Sequence, residues 1–237
     1  MASTSQDQSP KRGASPSPRV ALAAATPFAL RVGAPPQFLT APQQLSFWGN
    51  YTDGDCVTAE EAFTKACHNP EIFITEDVAV GWARDHGVLN GAVISDVLTW
   101  MQDDGFQQDE HRYNDGQHYA VNWTHRATLI SAISNGPVKI GVAADQLEDA
   151  WQPVRASGWV ATGFKQDDDE DHCVSLCGYG SIAWLLQQLG GHVPAGVDGN
   201  AFAYALFTWN SIGVIDEPSM RAITHEAWLR TPSTIVL

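Results

Sequence analysis

"GNYTDGDCVTAEEAFTKAC", residues 49–67, runs from a turn rich in glycine and aspartate into a segment whose alanine, glutamate and lysine content predicts an amphipathic helix. Cys56 lies at the predicted helix start, where unpaired backbone N–H groups and the helix dipole lower the pKa of a thiol. Asp53 and Asp55 act in the opposite direction, because nearby negative charges raise that pKa. The stretch alone leaves two interpretations open: a nucleophile activated by a nearby cation, or a small hydrophobic residue that begins a core helix.

Composition limits the classes of function. The chain has 237 residues, of which 44% are hydrophobic, so we expect a large core in one domain or in two lobes that share a cleft. Acidic residues outnumber basic ones by 27 to 13, which gives a formal charge of -14 that repels nucleic-acid phosphates and anionic lipid surfaces. Neither nucleic acid nor a membrane is therefore an expected partner. Oligomeric state is not predicted.

The cysteine content and the N-terminal residues indicate the cellular compartment. Four cysteines are too few for a disulfide scaffold, and no apolar run reaches the roughly 18 to 20 residues that span a bilayer. No clear signal peptide is present, which favours a cytoplasmic location without excluding export. Residues 1–19 are rich in serine, proline and glutamine, so we expect disorder there, and residues 1–37 form a disordered or extended leader to a domain over residues 38–237.

Hydrophobic patterns divide the domain into two parts. Helices are predicted from Cys56 and over residues 75–87, 92–105 and 128–136. Strands are predicted over residues 137–144, 172–180 and 204–213, each an apolar or aromatic run bounded by glycine or proline. A helix-rich half followed by a strand-rich half indicates an α+β fold with two lobes.

Two side chains of the strand-rich half fit the chemistry that a cysteine nucleophile needs. His172 begins one predicted strand, and Asn210 ends another. A histidine that acts as general base must keep one tautomer and one ring orientation, which an amide oxygen accepting from its second nitrogen provides. Taken singly, His172 is equally consistent with a surface histidine and Asn210 with a turn former.

Five motifs taken together resemble the papain-like cysteine peptidases over about residues 45–215. In chain order they are "NYTDGDC", "LNGAVISDVLTWMQDDGF", "NGPVKIGVAA", "DHCVSLCGYG" and "WNSIG". The resemblance implies a papain-like two-lobe fold. A helical lobe would carry Cys56, and an antiparallel sheet would carry His172 and Asn210.

The resemblance also implies roles for individual residues. Cys56 would be the nucleophile, His172 the general base and then acid, and Asn210 the residue that orients His172. The family's glutamine oxyanion donor falls on Asn50, six residues before Cys56 and one methylene shorter. Peptide-binding positions are implied for a further set, in which Gly91 and Ala92 would pair antiparallel with substrate: Gly54, Asn90, Gly91, Ala92 and Asp171.

The chain departs from the family pattern near the triad. Ile212 stands where the family has a tryptophan that shields the histidine, so Trp209 or Trp184 is expected to take over that cover. Asp171 ends the acidic run 167–171, which is expected to raise the pKa of His172 and to disfavour acidic substrates.

The predicted function is hydrolysis of a peptide or related amide bond through an acyl-enzyme intermediate, with a peptide or protein as substrate. No metal or other cofactor is expected. Two alternatives stay open: acyl transfer or amidase chemistry with the same triad, and a non-catalytic peptide-binding module of the same fold.

Overall fold

The computed structural model describes residues 9–31 and 33–237, so the part of the predicted leader over residues 1–8 lies outside the described residues, as does Val32. The helices are α1 (Arg19–Ala24), α2 (Cys56–Ala66), α3 (Glu76–Asp85), α4 (Ile94–Asp103), α5 (Arg126–Ile133), α6 (Asp145–Trp151), α7 (Ile182–Gln188) and α8 (Glu217–Ile223). The strands are β1 (Ala14–Ser15), β2 (Phe38–Leu39), β3 (Ala92–Val93), β4 (Phe106–Gln108), β5 (His111–Asn114), β6 (Gln117–Ala120), β7 (Val138–Val142), β8 (Val160–Ala161), β9 (His172–Ser181), β10 (Phe202–Thr208), β11 (Ser211–Asp216), β12 (Thr224–Thr231) and β13 (Ile235–Val236).

The main sheet confirms the predicted α+β class. Its strands run in the order β6-β12-β7-β9-β10-β11-β8, and β2 pairs with β9 outside this path. The pairing is antiparallel except between β11 and β8. Helices α2, α3 and α4 precede nearly all of this sheet in the chain. Two smaller sheets, β1-β3 and β13-β5-β4, complete the fold.

The sheet separates two hydrophobic cores. Alternation along β10 shows the division, because Ala205 and Phe207 belong to the core that contains α2 and α4, whereas Leu206 belongs to the core that contains α5, α6 and α8. Phe63 of α2 stacks on Phe207 with ring centroids 4.0 Å apart. The helix that begins at Cys56 is thereby fixed against the sheet.

Helix α2 is not amphipathic in the structure, because all eleven of its residues are buried. Its charged side chains meet opposite charges from distant parts of the chain. The buried charged residues that meet around α2 are three acidic and three basic: Glu60, Glu61, Asp115, Lys65, Lys139 and Arg230. Glu60 Oε2 lies 2.9 Å from Lys139 Nζ and 3.0 Å from Arg230 Nη1. This pairing allows a charged helix to lie inside the protein.

Residues 9–17, called here the cleft segment, lie against the domain. Composition alone predicts disorder over residues 1–19, yet Ala14 and Ser17 are buried, and Ala14 belongs to β1. Backbone pairing with β3 supplies the reason, since it needs no large apolar side chain. Helix α1 follows the segment and buries none of its residues.

Candidate active site

Cys56 is the first residue of α2 and its side chain is buried. Burial raises the pKa of the thiol to about 12, and backbone hydrogen bonding from Cys173 and Gly13 acts in the opposite direction. The preceding residue, Asp55, is also buried, and neither oxygen of its carboxyl group has a hydrogen-bond partner among the described residues. Burial raises the pKa of Asp55 to about 8. Because burial raises the pKa of Cys56 so far, its thiol is neutral in this arrangement.

His172 is the first residue of β9 and is also buried. Its Nε2 lies 2.8 Å from Thr208 Oγ1, and its ring stacks on Trp209 with centroids 4.6 Å apart. Its Nδ1 has no hydrogen-bond partner in the described part of the chain, so one ring nitrogen is held and the other is free to exchange a proton. Trp209 thus covers the histidine, whereas Trp184 packs at Gly180.

The pKa of His172 moves against the expectation drawn from the acidic run 167–171. Burial lowers it to about 3, and the positive charge of Arg12 adds to the effect. Asp171 cannot act as an isolated negative charge on the ring, because its Oδ2 accepts a hydrogen bond from Arg12 Nη1 at 2.8 Å. His172 and Cys56 are consequently both neutral, rather than an imidazolium and a thiolate.

Asn210 makes no hydrogen bond to His172 in the described part of the chain. The segment 204–213, predicted as one strand, folds into β10 and β11, which pair through Thr208 and Ser211. Trp209 and Asn210 form the turn between them, with φ of 42° and 60°. A two-residue hairpin turn with positive φ at both positions favours asparagine, and Asn210 is exposed there. The expectation that Asn210 orients His172 is therefore corrected: Thr208 makes that contact.

Asn50 is buried close to the start of α2 and is already donating hydrogen bonds. Its Nδ2 lies 3.1 Å from the carbonyl oxygen of Lys11 and 3.3 Å from that of Asp53. Trp209 Nε1 lies 3.3 Å from the same Lys11 oxygen. A side-chain amide aimed at a peptide carbonyl is the type of donor that stabilises an oxyanion.

The cleft segment crosses the site in an extended conformation. Ala14 N donates to the carbonyl oxygen of Asp171 at 3.1 Å, and Ala92 N donates to that of Gly13 at 2.7 Å. A Cβ at Gly13 would lie 1.8 Å from the carbonyl oxygen of Gly54, so only glycine fits at this crossing. The segment runs parallel to β3, opposite to the antiparallel direction expected of a substrate.

The residues expected to bind a peptide backbone thus lie beside one that belongs to the chain itself. Gly54 and Gly91 approach the backbone of residues 12–13, and a Cβ at Gly91 would lie 2.9 Å from the Gly13 carbonyl oxygen. Ala92 pairs with Ala14. Asn90 is exposed, and its backbone lies beside Gly54. Their action on an external substrate stays a prediction.

Arg12 anchors the segment at one end of the cleft. Its guanidinium contacts Asp145 and lies 2.6 Å from Glu148 Oε2 and 2.8 Å from Asp171 Oδ2. Burial opposes the charge, but these three hydrogen bonds raise the pKa of Arg12 above its ordinary value. The backbone amide of Ala144 donates to Asp171 Oδ1 at 3.0 Å and fixes that carboxylate.

Solved structures of cysteine proteases have a similar fold. The proform of Amb a 11, a ragweed pollen allergen, superposes with a TM-score of 0.63 at 12% identity, over 89% of this chain and 72% of the other. Xylellain from Xylella fastidiosa gives a TM-score of 0.61 at 12% identity over 96% and 98% of the two chains. The chain has a papain-like fold. CMS1MS2 of Carica candamarcensis, solved with E-64, gives 0.57 at 15% identity over 83% and 98%.

The likeness lies in the papain-like fold rather than in the sequence. No family model matches the chain, and no curated protein matches it. Within residues 9–31 and 33–237, no group of three or more histidine, cysteine, aspartate or glutamate side chains is arranged to hold a metal ion. No helix of that part is long and apolar enough to cross a membrane.

Sequence reasoning missed Thr208 and the cleft segment. A signal for Thr208 was present, because "TWNS" places an asparagine where a hairpin turn needs positive φ, and the turn makes Thr208 the last residue of its strand. Arg12 carried no comparable signal, since a single arginine in a serine- and proline-rich stretch predicts nothing about its partners.

Proposed function

We propose that the chain is a cysteine peptidase in which Cys56 is the nucleophile and His172 the general base. One observation carries the proposal: an extended peptide segment lies hydrogen-bonded across Cys56, with its backbone between Gly54 and Ala92. A cleft that holds one extended peptide at a buried cysteine is shaped to hold another. The papain-like fold of known cysteine proteases supports the same assignment.

The reaction begins once a substrate replaces the cleft segment. Cys56 passes its thiol proton to His172 Nδ1, and the sulfur attacks the substrate carbonyl carbon. A C–S bond forms while the carbonyl electron pair moves to the oxygen, which accepts hydrogen bonds from Asn50 Nδ2 and the Cys56 backbone N–H. His172 then protonates the leaving amine as the C–N bond breaks. The result is a thioester on Cys56.

Water completes the cycle. His172, neutral again, takes a proton from water as the water oxygen attacks the thioester carbon. The C–S bond then breaks to release the acid, and His172 returns its proton to the sulfur to restore the thiol. Thr208 holds Nε2 throughout, so Nδ1 is the nitrogen that exchanges protons. An amine in place of water would give acyl transfer with the same residues, which product analysis with and without added amine distinguishes.

A peptide-binding module without catalysis is the second candidate. It is favoured by the neutral pair, since burial raises the pKa of Cys56 to about 12 and lowers that of His172 to about 3. Under this reading the segment across the cleft is a resident ligand. A thiol that never ionises has no chemistry to perform.

Peptide turnover separates the candidates. We expect the full chain to cleave a mixed peptide library, and Cys56→Ala to abolish cleavage with an unchanged circular dichroism spectrum. Cys67→Ala is the matched control, because that cysteine lies at the other end of α2 and should leave the rate unchanged. Cleavage that survives Cys56→Ala would refute the assignment. Tight binding without cleavage in either protein would favour the binding module.

A further inference from the structure

The cleft segment shows how this cleft treats an arginine side chain. Backbone hydrogen bonds hold residues 11–14 across Cys56, and from that backbone Arg12 extends toward α6. Three carboxylates from two parts of the chain receive it: Asp145 and Glu148 on α6, and Asp171 just before β9. These three residues are called the acidic subsite. The acidic subsite thus binds the guanidinium of an arginine whose backbone lies in the cleft.

The acidic subsite is built to hold a cation. Glu148 has 15% of its side chain exposed and Arg12 only 22%, so the ion pair between them is largely removed from water. The Ala144 amide orients Asp171, and Gln152 Nε2 lies 3.2 Å from Glu148 Oε1. Three negative charges surround one positive charge, so the subsite would be left with uncompensated charge if Arg12 withdrew.

Space beside the acidic subsite carries the same sign of charge. A cavity of about 290 Å³ adjoins Asp145 and Asp171 and is also lined by Asp167, Asp169 and Glu170. Burial raises the pKa of Glu170 and favours its neutral form, so the negative charge of this space is assigned to the aspartates alone. The whole end of the cleft beyond Arg12 therefore disfavours anionic groups and accommodates a basic side chain longer or differently placed than that of Arg12.

Chain direction assigns the subsite to one side of the scissile bond. The cleft segment runs parallel to β3, and its residue on the α6 side, Arg12, precedes Gly13. A substrate that pairs antiparallel to β3 would run through the cleft in the opposite direction, from β3 toward α6. Its residue on the α6 side would therefore lie on the C-terminal side of the bond that is cleaved. The reversed direction also gives a reason why the segment is a poor substrate for Cys56.

We propose that the acidic subsite, Asp145 with Glu148 and Asp171, selects peptides that carry arginine or lysine on the C-terminal side of the scissile bond, with Arg12 as its internal competitor. The selection rests on the proposed peptidase function, but the binding of a basic peptide does not. The two are therefore tested separately.

The binding test uses the full chain carrying Cys56→Ala and Arg12→Ala, which removes turnover and the internal competitor. The probe is the peptide Pro-Lys-Arg-Gly-Ala-Ser, the sequence of residues 10–15, against the same peptide with citrulline for arginine. Calorimetry should show about tenfold tighter binding of the arginine peptide, because hydrogen bonds between charged groups are lost with citrulline. Adding Glu148→Gln should reduce the difference to about threefold or less, whereas Glu110→Gln on the exposed surface should not change it. Equal binding of both peptides would overturn the proposal.

The turnover test uses full-length Arg12→Ala with peptides that place arginine or citrulline on either side of the cleaved bond. Mass spectrometry of the products locates the cut, and kcat/KM should be about tenfold higher for arginine on the C-terminal side only. Cleavage with no such preference would overturn the acidic subsite and leave the peptidase function intact. Preferential binding of the arginine peptide with no cleavage of any peptide would overturn the peptidase function, and with it the selection at a scissile bond, while the site for a basic side chain would remain.

Discussion

Replacing Arg12 with alanine should open the cleft. The guanidinium is the only side chain of residues 11–14 for which ion pairs to the domain are described, and the remaining attachment is through backbone hydrogen bonds. Without it, the pairing with β3 still forms in the closed state, but the segment loses its anchor at the α6 end and leaves the cleft more often. We therefore expect Arg12→Ala to increase the open population without unfolding the domain, because Asp145 and Asp171, two of the three partners of Arg12, are partly exposed to solvent.

The size of the effect follows from exposure. Asp145 is 78% exposed and contributes little, whereas Glu148 and Asp171, 15% and 40% exposed, should each contribute about 0.5–1 kcal/mol. Their sum of about 1–2 kcal/mol corresponds to a five- to thirtyfold increase in the open population. Salt should reduce the difference between wild type and variant, since partly exposed ion pairs are screened.

Amide hydrogen exchange measures this opening directly. The amides of Ala14 and Ala92 donate to Asp171 and Gly13 across the cleft, so both are protected only while the segment is seated. Exchange at both should accelerate five- to thirtyfold in Arg12→Ala. Arg19→Ala is the matched control, since Arg19 is exposed on α1. Unchanged exchange in Arg12→Ala, or equal acceleration in Arg19→Ala, would refute the reasoning.

Three further predictions concern the site and its support. Thr208→Val should lower kcat about tenfold with little change in KM and should shift the pH dependence of kcat, because His172 Nε2 loses its hydrogen-bond partner. Thr208→Ser should restore both kcat and its pH dependence. A change in stability with unchanged kinetics would contradict the positioning role of Thr208. Arg230→Met should lower the free energy of unfolding in urea by about 3–5 kcal/mol, because it leaves three buried carboxyl groups with only two buried cations, Lys65 and Lys139. A loss below about 1 kcal/mol, as expected for the exposed control Arg221→Met, would contradict it. Burial raises the pKa of Asp55 in the folded state to about 8, above its unfolded value, so between pH 6.5 and 8 the unfolded state has released the proton and the folded state retains it. The wild type should therefore lose up to about 2 kcal/mol of unfolding free energy over that range, and Asp55→Asn should lose less. Parallel curves of unfolding free energy against pH for the two proteins would rule this out.

The fold was predictable because its signals are local. Each helix and strand that positions Cys56 and His172 has an apolar pattern and bounding residues within its own stretch, as the agreement over β7 and β9 shows. The charges of α2 were not predictable in the same way. Glu60 and Lys65 look like solvent-facing residues of an amphipathic helix until Arg230 and Asp115, far away in the sequence, are known to meet them.

The position of a candidate site residue in the fold was predictable where the residue begins an element and not where a turn intervenes. Cys56 and His172 each start an element, and the structure describes both as buried. Asn210 matched the family's motif in letters, but a two-residue turn moves it to solvent and leaves Thr208 beside the histidine. Backbone hydrogen bonds place the cleft segment, and these leave no trace in composition, so a polar leader that binds the cleft cannot be told from one that does not.

The measurement that most directly tests Cys56 as an activated nucleophile is its alkylation by iodoacetamide against pH, followed by mass spectrometry in full-length Arg12→Ala and in Arg12→Ala with His172→Ala. We predict rapid labelling of Cys56 that persists well below pH 7 in the first protein and is lost in the second, because an open cleft lets His172 accept the thiol proton. Labelling that rises only near pH 8.5 or above, and equally in both proteins, would contradict the account, because it would mean that His172 does not ionise the thiol.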